Sequence, residues 1–134
     1  MKDQDLFLAL HHASLIVKEL QRSLYFYCHI LDMQENLQRP QMAFAGAWLD
    51  IGEQQIHLLV LPATEEKISQ PRHGGRDRHL AIHVSQLQHL ADKLDAHQIA
   101  YTMSRSGRRA LFCRDPDGNA LEFIQHTQAS PVKK

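Results

Sequence analysis

Alternating and helical spacings of apolar residues divide the first half of the chain into four predicted elements. Polar and apolar positions alternate over residues 10–17, which predicts a half-buried strand. Apolar residues recur at helical spacing over residues 20–31 and predict one amphipathic helix. Two further strands are predicted over residues 44–51 and 55–61. His57 lies in the second of them, on the face opposite its apolar neighbours.

The same order of elements returns in the second half of the chain. A strand is predicted over residues 78–84, and an apolar stripe at helical spacing over residues 87–94 predicts a helix. Residues 85–88 have the spacing of a capping box at the start of this helix. Strands over residues 108–114 and 120–126 follow. The second half therefore reads as a repeat of the first.

The repeat is seen when the two halves of the sequence are aligned at one constant offset. The pairs that coincide are His12 with His79, Leu15 with Ile82, Val17 with Val84, Leu20 with Leu87 and Tyr27 with Leu94. After a short indel, His57 coincides with Glu122. The pattern predicts an α+β fold of two tandem βαβββ modules in one domain, with a half-open mixed β-sheet cavity and helices outside. The predicted segments are module one at residues 8–62, a linker at 63–77, module two at 78–126 and a frayed tail at 127–134.

A carboxylate interrupts the most apolar of these strands. Glu122 lies between Leu121 and Phe123, after a tight turn that Pro116 and Gly118 predict. An unpaired carboxylate in such a strand is costly to bury. Glu122 therefore needs a partner, which is either an arginine or a metal ion.

Composition excludes several classes of partner. Lysine plus arginine equal aspartate plus glutamate at fifteen each, so nothing indicates nucleic acid or an anionic membrane. The apolar run at residues 6–10 is too short for a signal peptide. Cys28 and Cys113 are far apart, which fits a reduced, cytoplasmic protein, and Cys113 is expected to be a buried small hydrophobe. Ten histidines are the compositional oddity.

Three segments carry a resemblance to a known family. They are His-Ala-Ser-Leu-Ile-Val at 12–17, the histidine strand that begins at His79, and Asp-Pro-Asp-Gly-Asn-Ala-Leu-Glu at 115–122. Together they resemble the vicinal oxygen chelate superfamily, which includes glyoxalase I, fosfomycin-resistance thiol transferases, extradiol dioxygenases and bleomycin-resistance proteins. The resemblance covers about residues 8–126. Single-chain members commonly pair their modules across a dimer interface, which implies a homodimer.

The resemblance also implies a metal site, because the first and last strands of each module supply ligands in the metal-binding members. The implied ligands are His12, His57, His79 and Glu122. Three imidazoles and one carboxylate suit one divalent transition metal, which is Zn, Ni, Co, Fe or Mn. Taken alone, each histidine reads as a hydrogen-bonded core or rim side chain. Glu122 is also the implied catalytic base, because a carboxylate can loosen from a metal to accept a proton.

Residues around these ligands are candidates for substrate binding. Ser14 matches a hydroxyl residue of the fosfomycin transferases, and Phe112 stands where those enzymes have a tyrosine. His83 shares the strand face of His79, whereas His11 is expected on the face opposite His12.

Two further groups of candidates come from the residues themselves. Arg78, Arg108 and Arg109 indicate an anionic substrate, because guanidinium groups bind carboxylates and phosphates, with solvated loops as the alternative. Trp48 is a candidate for an apolar wall of the substrate site, and the alternative is that it packs in the core.

These features predict a metal-dependent glyoxalase-like enzyme of lyase or isomerase type. It would chelate a small oxygenated, anionic substrate through two oxygens and stabilise an enolate or alkoxide. Glyoxalase I itself usually has Glu or Gln at the position of His57, and bacterial forms have arginine at that of Ile16. Two alternatives are a fosfomycin-type thiol transferase and a ligand-binding or drug-sequestering protein without turnover.

Overall fold

The computed structural model of the protein describes residues 5–62, 71 and 73–127. The chain divides into two compact units, Met1–Glu66 and Lys67–Lys134. Most of the predicted linker over residues 63–77, and the predicted tail apart from its first residue, lie outside the described residues. The strands and helices are β1 His12–Val17, α1 Leu20–Leu24, β2 Gln34–Asn36, β3 Gly46–Ile51, β4 Gln54–Val60, β5 His79–Val84, α2 Leu87–Ala96, β6 Tyr101–Met103, β7 Ala110–Arg114 and β8 Ala120–Gln125.

The first unit is a four-stranded mixed sheet covered by one helix. Its strand order is β1-β4-β3-β2, with β1 parallel to β4 and the other pairs antiparallel. Helix α1 continues as a π-helical segment, Tyr25–Ile30. Tyr27 of that segment is fully buried, as are Val17, Leu49 and Leu58 of the sheet. The strands therefore bury one apolar face, and the opposite face carries His12, which is exposed, and His57, which is buried.

The second unit repeats this arrangement. Its strand order is β5-β8-β7-β6, again with one parallel pair, β5 with β8. All four apolar positions of the predicted helix stripe are buried, namely Leu87, Leu90, Ala91 and Leu94. Each unit is thus a βαβββ module, and the predicted α+β class with tandem modules is confirmed.

The apolar pattern did not predict two of the strands, β2 and β6. β2 and β6 are three residues long and lie at the edges of their sheets. Three residues are too few for an alternation to stand out, and edge pairing depends on a neighbouring strand rather than on local sequence. The six strands located from the pattern begin or end within two residues of the observed bounds.

Helix α2 is capped from another strand rather than from its own sequence. It begins at Leu87 with Gln86 as the N-cap residue, so the capping box predicted over residues 85–88 is wrong. The Leu87 N–H donates instead to Oε1 of Gln125 at 2.8 Å. Nε2 of Gln125 donates in turn to the Ser85 carbonyl oxygen at 2.7 Å. The side chain of β8 satisfies the helix terminus, which ties α2 to the strand that carries Glu122.

The turn between β7 and β8 is organised by Asp115, which is buried. Its Oδ1 accepts from the backbone N–H groups of Asp117 and Asn119, both at 2.9 Å, and its Oδ2 accepts from the Asn119 side-chain amide at 2.8 Å. Gly118 has φ of 88°, the conformation that the turn prediction requires of a glycine. This turn sets the register that places Phe112 beside Glu122.

Within the described ranges, 5–62, 71 and 73–127, none of the helices combines the length and apolar character needed to span a bilayer.

Candidate active site

A row of four side chains crosses the face of the first sheet that carries His57. Ser14, His57, Trp48 and Asn36 are consecutive cross-strand neighbours on β1, β4, β3 and β2. Residues directly opposite each other in a sheet point to the same face. The row therefore brings two predicted substrate-binding residues, Ser14 and Trp48, to either side of a predicted metal ligand.

Aromatic stacking joins the two histidines of this unit. The rings of His12 and His57 are stacked with centroids 3.8 Å apart and planes 13° from parallel, and Trp48 stacks on the other face of His57 at 4.6 Å. The structure thus brings His12 and His57 together. Imidazole lone pairs lie in the ring plane, so two parallel rings do not point at one common atom. A metal shared by both histidines requires one ring to rotate out of the stack.

Hydrogen bonds connect His57 to Gln55 and Gln55 to Asp50. Its Nε2 lies 2.8 Å from Oε1 of Gln55, and Nε2 of Gln55 lies 3.4 Å from Oδ1 of Asp50. Because an amide oxygen only accepts, Nε2 of His57 carries the proton and Nδ1 carries the lone pair. Burial lowers the pKa of His57, and the neighbouring imidazoles of His12 and His11 lower it further. The ring is therefore kept in its neutral form, the form that binds metals.

His11 lies beside His12 rather than on the opposite face. Its Nδ1 is 2.7 Å from Nδ1 of His12, and its ring centroid is 6.4 Å from that of His57. The expectation that His11 faces away is wrong because β1 begins only at His12, so the alternation of a strand does not extend to the residue before it. The first unit thus gathers three imidazoles on one side of its sheet.

The second unit has the equivalent row, with a carboxylate in the place of His57. Ala81, Glu122, Phe112 and Thr102 are consecutive cross-strand neighbours on β5, β8, β7 and β6. Glu122 therefore occupies the same position in its module as His57, and Phe112 the same position as Trp48. The internal repeat predicts the first of these equivalences.

The carboxylate of Glu122 contacts both an imidazole and a guanidinium group. Only 2 % of its side chain is exposed; Oε1 lies 3.0 Å from Nε2 of His79, and Oε2 lies 3.0 Å from Nη2 of Arg108. Nδ1 of His79 lies 2.9 Å from the Asp77 carbonyl oxygen, which only accepts, so Nδ1 carries a proton. Nε2 of His79 faces Oε1 of Glu122, and a proton on Nε2 or a metal cation can bridge these two atoms.

The other predicted substrate residues of this unit divide into two groups. Arg108 and Phe112 both lie beside Glu122. Arg109 lies one residue before β7 and lines a small cavity of about 130 Å³ beside Leu87 and Tyr101. His83 is exposed at the far end of β5, with its ring 5.2 Å from that of His126. Arg78 is exposed, and its backbone N–H donates to Asp77.

His73 joins the site from the loop before β5, and the sequence pattern does not single out this residue within the loop. Its Nδ1 lies 2.6 Å from Oγ1 of Thr102, and its ring packs edge-on against Phe112 with centroids 4.6 Å apart. The residue lies outside any periodic segment, so hydrophobic spacing carries no information about it. Two glycines that directly follow it were the available signal, because they allow the backbone to approach the sheet closely.

The described residues contain no group of three or more His, Cys, Asp or Glu side chains arranged to hold a metal ion. What each unit offers separately is a pair, His12 with His57 and His79 with Glu122. The donor types fit a divalent transition metal, because imidazole nitrogen and carboxylate oxygen are its usual protein ligands. The oriented Nε2 of His79 fits as well, because metal-binding histidines commonly donate their other N–H to a carbonyl oxygen.

Comparisons with known proteins identify the family and the fold of the chain. The model of the Glyoxalase/Bleomycin resistance protein/Dioxygenase superfamily matches residues 9–123. The chain is 30% identical over 125 residues to the uncharacterized protein YwkD of Bacillus subtilis, covering 87% of this chain and 96% of that one. It is 28% identical over 121 residues to "Glyoxylase I 4" of Arabidopsis thaliana, covering 86% of this chain and 69% of that one.

In fold the chain is similar to a mutant of the fosfomycin resistance protein FosX from Listeria monocytogenes, complexed with Mn(II) and dihydroxypropylphosphonic acid. That likeness has a TM-score of 0.70 at 18% identity and covers 96% and 99% of the two chains.

Proposed function

Because the chain belongs to the Glyoxalase/Bleomycin resistance protein/Dioxygenase superfamily, we propose that it is a metal-dependent enzyme of glyoxalase type, a lyase or isomerase. Its substrate would be a small anionic molecule with two neighbouring oxygen atoms. The observation that carries this proposal is the buried Glu122, whose Oε1 lies 3.0 Å from Nε2 of His79. A carboxylate and an imidazole held in this way form half of a metal site.

In this proposal one divalent transition metal, Zn, Ni, Co, Fe or Mn, is held by His12, His57, His79 and Glu122. The two ligand pairs come from one chain or from two chains of a homodimer. When bound, such a metal supplies Lewis-acid polarisation of the substrate oxygens. Support comes from the neutral state of His57 and from the orientation of His79 by Asp77. We also expect the protein to be cytoplasmic, consistent with two free cysteines.

Glu122 is proposed as the base that takes a proton from a substrate carbon next to a carbonyl group. Its two oxygens have separate neighbours, since Oε1 meets His79 and Oε2 meets Arg108. The Arg108 side chain is 59 % exposed, so it can move toward an anionic group of the substrate at little cost. Oε2 then becomes available to hold the proton. Burial of Glu122 excludes water from this oxygen during the transfer.

Metal content and turnover together test this proposal. The purified protein is expected to contain about one transition metal per chain and to convert the hemithioacetal of methylglyoxal and glutathione, or another carbonyl substrate of a panel. His79→Ala should lose both the metal and the activity. His89→Ala is the matched control, because His89 is exposed on α2 and takes no part in the proposed site. Metal content unchanged in His79→Ala, measured by elemental analysis, would contradict the proposal.

A second candidate is thiol transfer to an electrophile of the fosfomycin class. Ser14 supports it, since this exposed hydroxyl is the cross-strand neighbour of His57. Consumption of fosfomycin in the presence of glutathione or cysteine, with the hemithioacetal left unchanged, would favour this candidate. Tight binding of a ligand without turnover of either substrate would instead indicate a binding protein.

A further inference from the structure

Arg114, the last residue of β7, is hydrogen-bonded to three different segments of the second unit. Nη1 of its guanidinium group donates to Oδ2 of Asp77 at 2.8 Å and to the Gly118 carbonyl oxygen at 2.9 Å. Nη2 donates to the carbonyl oxygen of Pro71. Only 21 % of the Arg114 side chain and 20 % of the Asp77 side chain are exposed. Because a guanidinium group only donates, the direction of each of these bonds is fixed.

Asp77 connects Arg114 to His79. The backbone N–H of Asp77 donates to the Gly74 carbonyl oxygen at 3.1 Å, and its Oδ1 accepts from the backbone N–H of Arg78 at 2.8 Å. Its carbonyl oxygen accepts from Nδ1 of His79 at 2.9 Å. The N–H, the carbonyl group and both carboxylate oxygens of this one residue are therefore engaged. These bonds together restrict the direction in which its carbonyl group points.

The position of Asp77 is not set by the hydrogen-bond ladder of the sheet. The residue lies directly after the 3₁₀ turn Gly74–Arg76 and two residues before β5. Pairing of β5 with β8 begins only at His79, which lies opposite Ala120. The ion pair with Arg114 joins Asp77 to the end of β7 instead. A contact between side chains thus takes over the role that backbone pairing has within the strands.

Arg114 also lies next to the hairpin that carries Glu122. It is the cross-strand neighbour of Ala120, the first residue of β8, and Ala120 is in turn the parallel neighbour of His79. The same guanidinium group holds the Gly118 carbonyl oxygen in the turn before β8. Arg114 therefore contacts both the segment that leads to Glu122 and the segment that leads to His79.

We propose that Arg114 is a positioning residue for His79. It fixes Asp77, and the Asp77 carbonyl oxygen then holds the imidazole so that Nε2 faces Glu122. This inference rests on the proposed function, in which Nε2 of His79 and the carboxylate of Glu122 bind the metal. A ring without this support would have to be ordered again whenever a metal binds, which lowers the affinity. Arg114 acts through Asp77 and does not itself contact metal or substrate.

The ring N–H group of His79 provides a direct test in the metal-free protein. Because Nδ1–H is hydrogen-bonded to a carbonyl oxygen, it should give a signal in a nitrogen–proton correlation NMR spectrum, identified by its absence in His79→Ala. Arg114→Gln and Asp77→Ala should each remove this signal through exchange with water. The dispersed backbone amide signals of β5 and β8 should remain. Arg105→Gln is the matched control, because Arg105 is exposed in the loop before β7, and it should keep the ring signal.

Zn(II) binding measured by calorimetry is the second readout. Arg114→Gln and Asp77→Ala should each bind Zn(II) about tenfold more weakly or worse, the usual scale for removing a group that orients a metal-binding histidine. The double variant should bind no more weakly than either single variant, since both substitutions interrupt the same chain of contacts. Arg114→Lys keeps a cationic donor for Asp77 and should recover part of the affinity and of the ring signal.

The outcomes separate this inference from the proposed function. A ring signal and a Zn(II) affinity that both persist in Arg114→Gln would overturn the role of Arg114, as would the absence of the ring signal from the wild-type protein. Loss of the dispersed amide signals in Arg114→Gln, with no recovery in Arg114→Lys, would also overturn it, because it would indicate a merely structural contact. If the wild-type protein does not bind Zn(II) while the ring signal responds as expected, the proposed metal site is wrong and the positioning of His79 by Arg114 stands.

Discussion

Nε2 of His79 lies 3.0 Å from Oε1 of Glu122, and the same imidazole is oriented by the Asp77 carbonyl oxygen on its other side. The two residues are brought together by parallel pairing of β5 with β8. This arrangement gives a buried carboxylate a neighbour that a metal or a proton can bridge.

Replacing the carboxylate separates metal binding from proton transfer. Glu122→Gln should retain much of the metal through His12, His57 and His79, because an amide oxygen is a weaker ligand but three imidazoles remain. Activity should fall about a hundredfold or more, the usual scale of general-base removal. Elemental analysis and kcat of the metal-loaded variant measure the two effects. Turnover near the wild-type rate would exclude Glu122 as the base.

The stacked rings predict an optical signal of metal binding. Trp48 is the single tryptophan of the chain and stacks on His57, which in turn stacks on His12. Because a shared ion requires one imidazole to leave the stack, Zn(II) should change the emission of Trp48. Zn(II) is suited to this test since it is redox-inactive.

The matched variant for that experiment is His57→Ala, which should remove the change in emission. Zn(II) binding demonstrated by calorimetry, with unaltered Trp48 fluorescence in the wild-type protein, would show that the stack persists in the metal-bound state.

The hairpin that carries Glu122 should depend on Asp115. Asp115→Ala removes the acceptor for two backbone N–H groups and one side-chain amide. We expect the free energy of unfolding to fall by about 3 kcal/mol, since bonds to a charged acceptor contribute about 1.5–3 kcal/mol each and are not additive. Urea denaturation measures this. Asp92→Ala, which loses one exposed bond to Gln88, is the control and should cost about 0.5 kcal/mol or less.

Cys113 should behave as an inert thiol in the folded protein. Burial, with a smaller contribution from Asp115, raises its pKa to about 12. At pH 8 roughly one thiol in ten thousand is then ionised, so Ellman's reagent should not modify Cys113 until urea unfolds the chain. Cys28 is only half-buried and should react first. Rapid modification of both thiols in the folded protein would contradict the burial of Cys113.

The raised pKa of Cys113 also predicts how the free energy of unfolding changes at alkaline pH. Below the ordinary thiol pKa, both folded and unfolded states keep the proton, and Cys113 contributes nothing that varies with pH. Between about pH 9 and pH 12 the unfolded thiol ionises while the folded one does not, so stability is lost as the pH rises. Cys113→Ala should weaken this alkaline loss, which urea denaturation across that range measures.

The family resemblance predicts a homodimer in solution. Light scattering should give twice the 15.4 kDa mass of one chain. A mass of one chain over a wide range of concentration would contradict this prediction and would require both ligand pairs to come from the same molecule.

Periodicity alone determined much of this protein. The alternation around His12 and His79 and the apolar stripe at Leu87 and Leu94 predicted the strands, the helix faces and the repeat, because side-chain direction follows from spacing within one element. The carboxylate of Glu122 in an apolar strand predicted that it has a polar partner. These inferences use only neighbours along the chain, which is why they were available before the structure.

Only the tertiary structure decided which distant side chains meet. Arg108 on Glu122, Gln125 on the first turn of α2, and His73 on Thr102 are contacts between different elements or between a loop and a sheet. No spacing in the sequence encodes them, because loops have no period and a long side chain chooses its rotamer from what surrounds it. His11 shows the same limit at short range. One residue before β1 begins, the alternation no longer applies, and its ring turns toward His12.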